Sequence, residues 1–97
     1  MAMAEYSLEG RVIIVTGAGR GLGRAMTEAL IETSANVIAA AHISDDFPEL
    51  EALCADNPGE LHCVEADIRQ TADCDRIIAA ALETFGGLHG LVNNAGL

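Results

Sequence analysis

The chain has 97 residues, room for one small domain, and with 51% hydrophobic and 21% charged residues it holds enough apolar surface to fold rather than remain disordered. Fifteen acidic residues against five basic ones give a formal net charge of -10, which repels phosphate backbones and anionic lipid headgroups, so neither nucleic acid nor a membrane is expected as a partner. No apolar run approaches membrane-spanning length, and the start carries Glu5 and Glu9 where a signal peptide has a basic and then an apolar stretch, so a cytoplasmic location is expected.

Arg11 to Thr16 (RVIIVT) is a nearly continuous apolar, β-branched run, as in a strand buried on both faces of a parallel sheet. A glycine-rich turn follows. From Leu22 the apolar positions Leu22, Ala25, Met26, Ala29 and Leu30 recur at helical spacing, predicting an amphipathic helix that ends near Ser34. Asn36 to Ala41 (NVIAAA) reads as a second buried strand. Ser44, Asp45 and Asp46 are helix-starting residues and Pro48 is tolerated in a first turn, so Phe47 to Ala55 is a short helix, stopped by Asn57, Pro58 and Gly59. Leu61 to Ala66 is the third strand. Thr71 is placed to cap the next helix, Asp73 and Asp75 suit its positive end, and Ile77, Ile78, Ala81, Leu82 and Phe85 line one face. Gly86 and Gly87 end it, and Leu88 to Asn93 is the fourth strand.

Strands alternating with helices specify an α/β architecture with a parallel sheet and right-handed crossovers. The expected strand order is 3-2-1-4, a partial Rossmann fold: one mononucleotide-binding half of a doubly wound sheet plus the first strand of the other half. No linker, repeat or low-complexity stretch suggests a second domain.

Cys54, Cys63 and Cys74 lack the spacing of a zinc or redox pair and read as small buried hydrophobes. His62, in an apolar strand, and His89, beside glycines, have no neighbour spaced to complete a metal site, so packing or exposure is expected for both and no metal is assigned.

The segment Thr16-Gly17-Ala18-Gly19-Arg20-Gly21-Leu22-Gly23 lies between a predicted strand and a predicted helix, where glycines let the backbone approach a pyrophosphate and free amides at the helix start meet its charge. A P-loop would need Gly-Lys-Ser/Thr, and neither Leu22 nor Arg24, at the required offsets, fits it. The G-x-G-x-x-G fingerprint also fails, because Leu22 stands where its third glycine belongs. What fits is Thr16-Gly17-x-x-x-Gly21-x-Gly23. This resembles the short-chain dehydrogenase/reductase family, whose cofactor turn is T-G-x-x-x-G-x-G. Asn93-Asn94-Ala95-Gly96 is similar to the family's N-N-A-G segment, and Asp67-Ile68 to its adenine-contacting Asp and following hydrophobe, so the likeness runs from about Ser7 to Leu97.

The resemblance implies a nicotinamide dinucleotide, NADP or NAD, held by Gly17, Gly19, Arg20, Gly21, Leu22, Gly23, His42, Asp67, Ile68, Asn93, Ala95 and Gly96. Gly17, Gly21 and Gly23 would shape the turn, Arg20 would point toward the cofactor, Asp67 and Ile68 would hold the adenine, and Asn93 and Gly96 would line the cleft beside ribose and nicotinamide. Asp67 has a rival reading as a loop cap, and Asn94 is expected to stabilise strand ends. The acid that holds a ribose 2′-hydroxyl in NAD enzymes is replaced by Ala41; with Arg20 in the turn and His42 and Ser44 able to donate to a phosphate, NADP is favoured, against the pull of nearby Asp45 and Asp46. Ser34 stands where the family has a glycine at the end of the first helix, which in a left-handed conformation costs roughly 1 kcal/mol.

The family transfers hydride between nicotinamide and a carbonyl or alcohol, using a serine and a Y-x-x-x-K pair. This chain has no lysine and a single tyrosine, Tyr6, which precedes the first strand, so no catalytic residue is assigned. The expectation is the amino-terminal part of a longer oxidoreductase, one that forms homo-oligomers, acts on a small carbonyl or alcohol, and carries its catalytic residues elsewhere. The alternatives are a non-catalytic nucleotide-binding remnant and a module that lends its sheet edge to a partner.

Overall fold

The computed structural model describes residues 7–95, so Tyr6 and Gly96 lie outside the described residues. Its elements are β1 (Val12–Thr16), α1 (Gly21–Glu32), β2 (Asn36–Ala41), α2 (Phe47–Cys54), β3 (Leu61–Glu65), α3 (Thr71–Phe85) and β4 (Gly90–Asn93), with one 3-10 turn, Ser44–Asp46, before α2. The sheet is parallel throughout, in the expected order β3-β2-β1-β4.

Side chains alternate across the two inner strands, and each face has its own core. Val15, Val37 and Ala39 pack with Ile31, Leu50 and Cys54 beneath α1 and α2, while Val12, Ile14, Ile38 and Ala40 pack with Ile77 and Ala81 beneath α3. Burial on both faces explains why β1 and β2 read as unbroken apolar runs.

Both long helices correct the sequence reading. In α1 the buried positions are Gly23, Thr27 and Ile31; of the predicted stripe Leu22, Ala25 and Ala29 are exposed, Leu22 by 62%, while Met26 is half-buried and Leu30 packs half-buried against the core. Gly23 has no side chain to hold the helix away from the sheet, and Thr27 satisfies its hydroxyl by donating to the Gly23 carbonyl at 2.9 Å, so a polar residue can occupy the core face. In α3 the apolar stripe is wider than the sheet surface beneath it: Ile77 and Ala81 are buried and Phe85 packs beside them, but Ile78 and Leu82 are exposed.

Helix ends differ from expectation as well. Gln70, not Thr71, is the N-cap of α3, and it makes no side-chain cap. Asp73 is committed elsewhere: its Oδ2 accepts the backbone N–H of Asp67 at 2.8 Å and its Oδ1 accepts from Arg76 at 3.2 Å. α1 ends in the predicted left-handed position, with Ser34 at φ 74°. β4 is two residues shorter than predicted because His89 uses its ring in place of a backbone acceptor, its Nδ1 accepting the Val12 N–H at 2.9 Å while the His89 backbone N–H donates to the Val12 carbonyl at 2.8 Å. His62 is exposed, and of the cysteines only Cys54 is fully buried, Cys63 and Cys74 being half-buried. Burial still pushes the Cys63 thiol up to about 12.

Candidate cofactor-binding site

The carboxyl ends of β1, β2 and β4 meet at the glycine turn. Gly17 takes φ 63°, which a residue with a side chain seldom adopts, and it turns the chain so that the buried Ala18 can donate its N–H to the Ala40 carbonyl at 3.1 Å. The turn therefore hangs on β2. Arg20 is extended (φ -143°, ψ 162°) and precedes α1 without a side-chain cap, and no acidic residue lies in the first helical turn. No side chain of α1 itself meets the positive end of this helix.

Two contacts lock the turn to β4. A Cβ on Gly23 would fall deep inside the van der Waals radius of the Gly17 carbonyl oxygen and 2.6 Å from Asn94 Nδ2, so only glycine lets the helix start lie against the turn. Asn94 Nδ2 donates to that same carbonyl at 3.2 Å. Thr16, almost wholly buried, uses its hydroxyl fully: it accepts the N–H groups of Asn94 (3.0 Å) and Ala95 (3.2 Å) and donates to Asn93 Oδ1 (3.1 Å).

Along this rim runs a cleft of about 420 Å³, bounded by Gly17 and Ala95 on one side and by His42, Asp67, Ile68 and Arg69 on the other. A shallower recess of about 220 Å³ shares Gly17, Ala41 and His42 with it and adds Gly19, Arg20 and Asp46. Residues far apart in the chain thus form one continuous trough across the ends of the strands, where open α/β sheets bind ligands.

The trough's charges are paired. Arg20 Nε donates to Asp46 Oδ2 at 2.6 Å. Arg69 lays its guanidinium on Asp67, Nε to Oδ1 at 3.0 Å and Nη2 to Oδ2 at 2.9 Å, and its backbone N–H also donates to Oδ1. The Arg69 side chain first, and its backbone N–H second, hold the Asp67 carboxyl down at about 2. His42 Nδ1 stands 3.7 Å from Asp67 Oδ2. Asp73, which receives the Asp67 N–H, is also lowered, chiefly by that bond.

Of the residues singled out from the sequence, Gly17, Gly19, Arg20, His42, Asp67, Ile68 and Ala95 line the trough. Gly21 and Leu22 sit exposed at the start of α1 beside it, Gly23 is buried behind it, and Asn93 turns its side chain to Thr16. Gly96 lies outside the described residues. Sequence reasoning missed Thr16 and Ala18 as braces of the turn and Arg69 as the partner of Asp67. The Arg-x-Asp pattern of opposite charges two residues apart in reverse, Asp67-x-Arg69, was the available signal for the last; nothing local marks Ala18.

The family model for short chain dehydrogenases matches residues 11–97. The chain is 43% identical over 90 residues to a 2,5-dichloro-2,5-cyclohexadiene-1,4-diol dehydrogenase of Sphingobium indicum, covering 93% of this chain and 35% of that protein. It is 40% identical over 95 residues to a hydroxyacyl-CoA dehydrogenase of Mycobacterium tuberculosis, covering 93% of this chain and 30% of the relative. Among solved structures, a short-chain type dehydrogenase/reductase from Mycobacterium marinum superimposes with a TM-score of 0.91 at 26% identity, covering 100% of this chain and 40% of that one. The chain therefore spans about a third of the length of the curated relatives it matches.

Proposed function

The chain belongs to the short-chain dehydrogenase family, and from that premise we propose that it binds a nicotinamide dinucleotide along the trough. We further propose that it serves an oxidoreductase acting on a small carbonyl or alcohol. The observation that carries this reading is Gly21. It stands at φ 54° where α1 opens from the glycine turn, and no side chain covers it. The helix start there has no side-chain cap and no acidic residue in its first turn, so its free amides suit a pyrophosphate.

Asp67 and Ile68 would flank the adenine, with the larger cleft supplying its volume. Gly17, Gly19 and Arg20 would cradle the ribose and phosphates, and Ala95 would border the path toward the nicotinamide. The bound nicotinamide supplies the hydride chemistry; these residues bind and orient it. NADP is the form supported by Ala41, which leaves no carboxylate at the end of β2 to repel a 2′-phosphate, and by Arg20 at the mouth of the recess. Among the described residues no helix is long and apolar enough to cross a membrane, and the free cysteines suit the reducing cytoplasm.

Titration of NADPH and NADH followed by nicotinamide fluorescence tests the proposal. Saturable enhancement with at least one of them is expected, stronger with NADPH; no binding of either overturns it.

A further inference from the structure

Ala41 stands where a family member selective for NAD carries its acid, yet the recess beyond it is not free of negative charge. Asp46, at the end of the 3-10 turn, reaches back over the glycine turn: its Cβ and Oδ2 lie 3.2 Å and 3.4 Å from where a side chain on Gly19 would begin, and the Ala41 methyl is 3.8 Å from that same point. A carboxylate borne five positions later in the chain thus lies against the same point of the glycine turn as the Ala41 methyl, at the recess the two residues share. It is held there from both sides. Phe47 and Leu50, the residues that follow, are buried in the core and anchor the backbone, and Arg20 Nε binds the carboxylate at 2.6 Å. The Asp46 side chain is only 24% exposed, whereas that of Arg20 is 74% exposed. The carboxylate is thus the fixed member of the pair and the guanidinium the movable one.

We infer that Asp46 is the specificity-determining residue at the ribose end of the trough, occupying Arg20 in the free protein and competing there with the 2′-phosphate of NADP. The inference rests on the dinucleotide reading above. A ribose 2′-hydroxyl can donate to Asp46 while Arg20 stays in place, so NAD enters without rearrangement. A 2′-phosphate brings up to two negative charges against a fixed carboxylate, and it gains Arg20 only by taking it from Asp46. The pair thus tempers the preference for NADP that Ala41 and Arg20 would otherwise confer. Asp45 carries the same charge next door but is exposed and makes no ion pair with Arg20 among the described residues, which makes it the control.

The test is the ratio of NADPH to NADH dissociation constants, measured with the full chain as wild type, Asp46→Asn, Asp45→Asn and Arg20→Met. Asp46→Asn is expected to shift the ratio toward NADPH by about tenfold, with the shift shrinking as salt is raised, because a like charge in direct juxtaposition is removed. Asp45→Asn removes one charge as well and should shift it by no more than about threefold, since a more distant exposed charge is screened. Arg20→Met should move the ratio toward NADH. If Asp46→Asn does not fold, Asp46→Ser tests the same charge. Binding of both cofactors with an Asp46→Asn ratio equal to that of wild type or of Asp45→Asn overturns the role of Asp46 and leaves the dinucleotide reading standing. Binding of neither cofactor overturns both.

Discussion

At the Gly17 end of the trough the contacts are made by main chain and by buried or half-buried polar side chains: Gly23 against the Gly17 carbonyl, Asn94 on that carbonyl, and the Thr16 hydroxyl with donor and acceptors all used. At the outer end, Arg20 meets Asp46 and Arg69 meets Asp67 through charged side chains, with both guanidinium groups well exposed. The first region has no slack, since every atom there supports both the fold and the turn. The second has exchangeable partners, each worth little to stability because water competes for exposed ions. On the dinucleotide reading proposed above, this division would keep the phosphate cradle rigid while the ribose end stays free to change.

The sharpest way to break this contrast is Gly23→Ala. A methyl there must displace the Gly17 carbonyl, and we expect a loss of about 3 kcal/mol or more in urea unfolding, together with loss of dinucleotide binding. A variant of wild-type stability would show that the turn yields and that the division is false. Thr16→Val comes next. It leaves the half-buried N–H groups of Asn94 and Ala95 without their acceptor, a loss of about 1 kcal/mol, the low end of the range for buried donors, readable in the same unfolding curves.

Ser34→Gly asks whether backbone demand matters away from the trough. Ser34 already sits at φ 74°, so glycine should stabilise the chain by about 1 kcal/mol, seen as a higher Tm, without altering cofactor binding. The smallest effect on stability belongs to the outer region. Arg69→Met should leave Tm close to wild type while the Asp67 carboxyl, followed by NMR, rises from about 2 toward the ordinary 3.8, the backbone N–H of residue 69 still holding it below that value. The sign follows from that depression: the contribution of Asp67 is present above the ordinary value and is lost as pH falls from about 4 toward 2. In the Arg69→Met protein the folded and unfolded values draw together, so this pH-dependent contribution shrinks throughout the window rather than moving within it. An Asp67 titration unchanged by the substitution would mean that another group holds the carboxylate.

The sequence was legible where a residue's role is set by its neighbours in the chain. Buried strands announce themselves as apolar runs, and the turn carries its own spacing, so β1, β2 and the Gly17–Gly23 segment fall where they were expected to within a residue. The buried face of α1 was not legible. Periodicity ranks side chains by apolarity, and by that measure Leu22 and Ala25 outrank Gly23 and Thr27; the packed helix instead selects the residues that allow close approach to the sheet. His89 was similarly opaque, because an imidazole that accepts a backbone N–H seventy-seven residues away leaves no local trace.

By itself, then, the sequence determined the α/β order of elements, the glycine-turn motif and the strain at Ser34, all of which depend on local conformation and on short-range spacing. Only the tertiary structure decided which face of each helix is buried, that Thr16 and Asn94 brace the turn from a different strand, and that Asp46 lies on Arg20. Those are contacts between segments brought together by parallel crossovers. Their distances are set by how closely helices and strands pack, which no short window of sequence encodes.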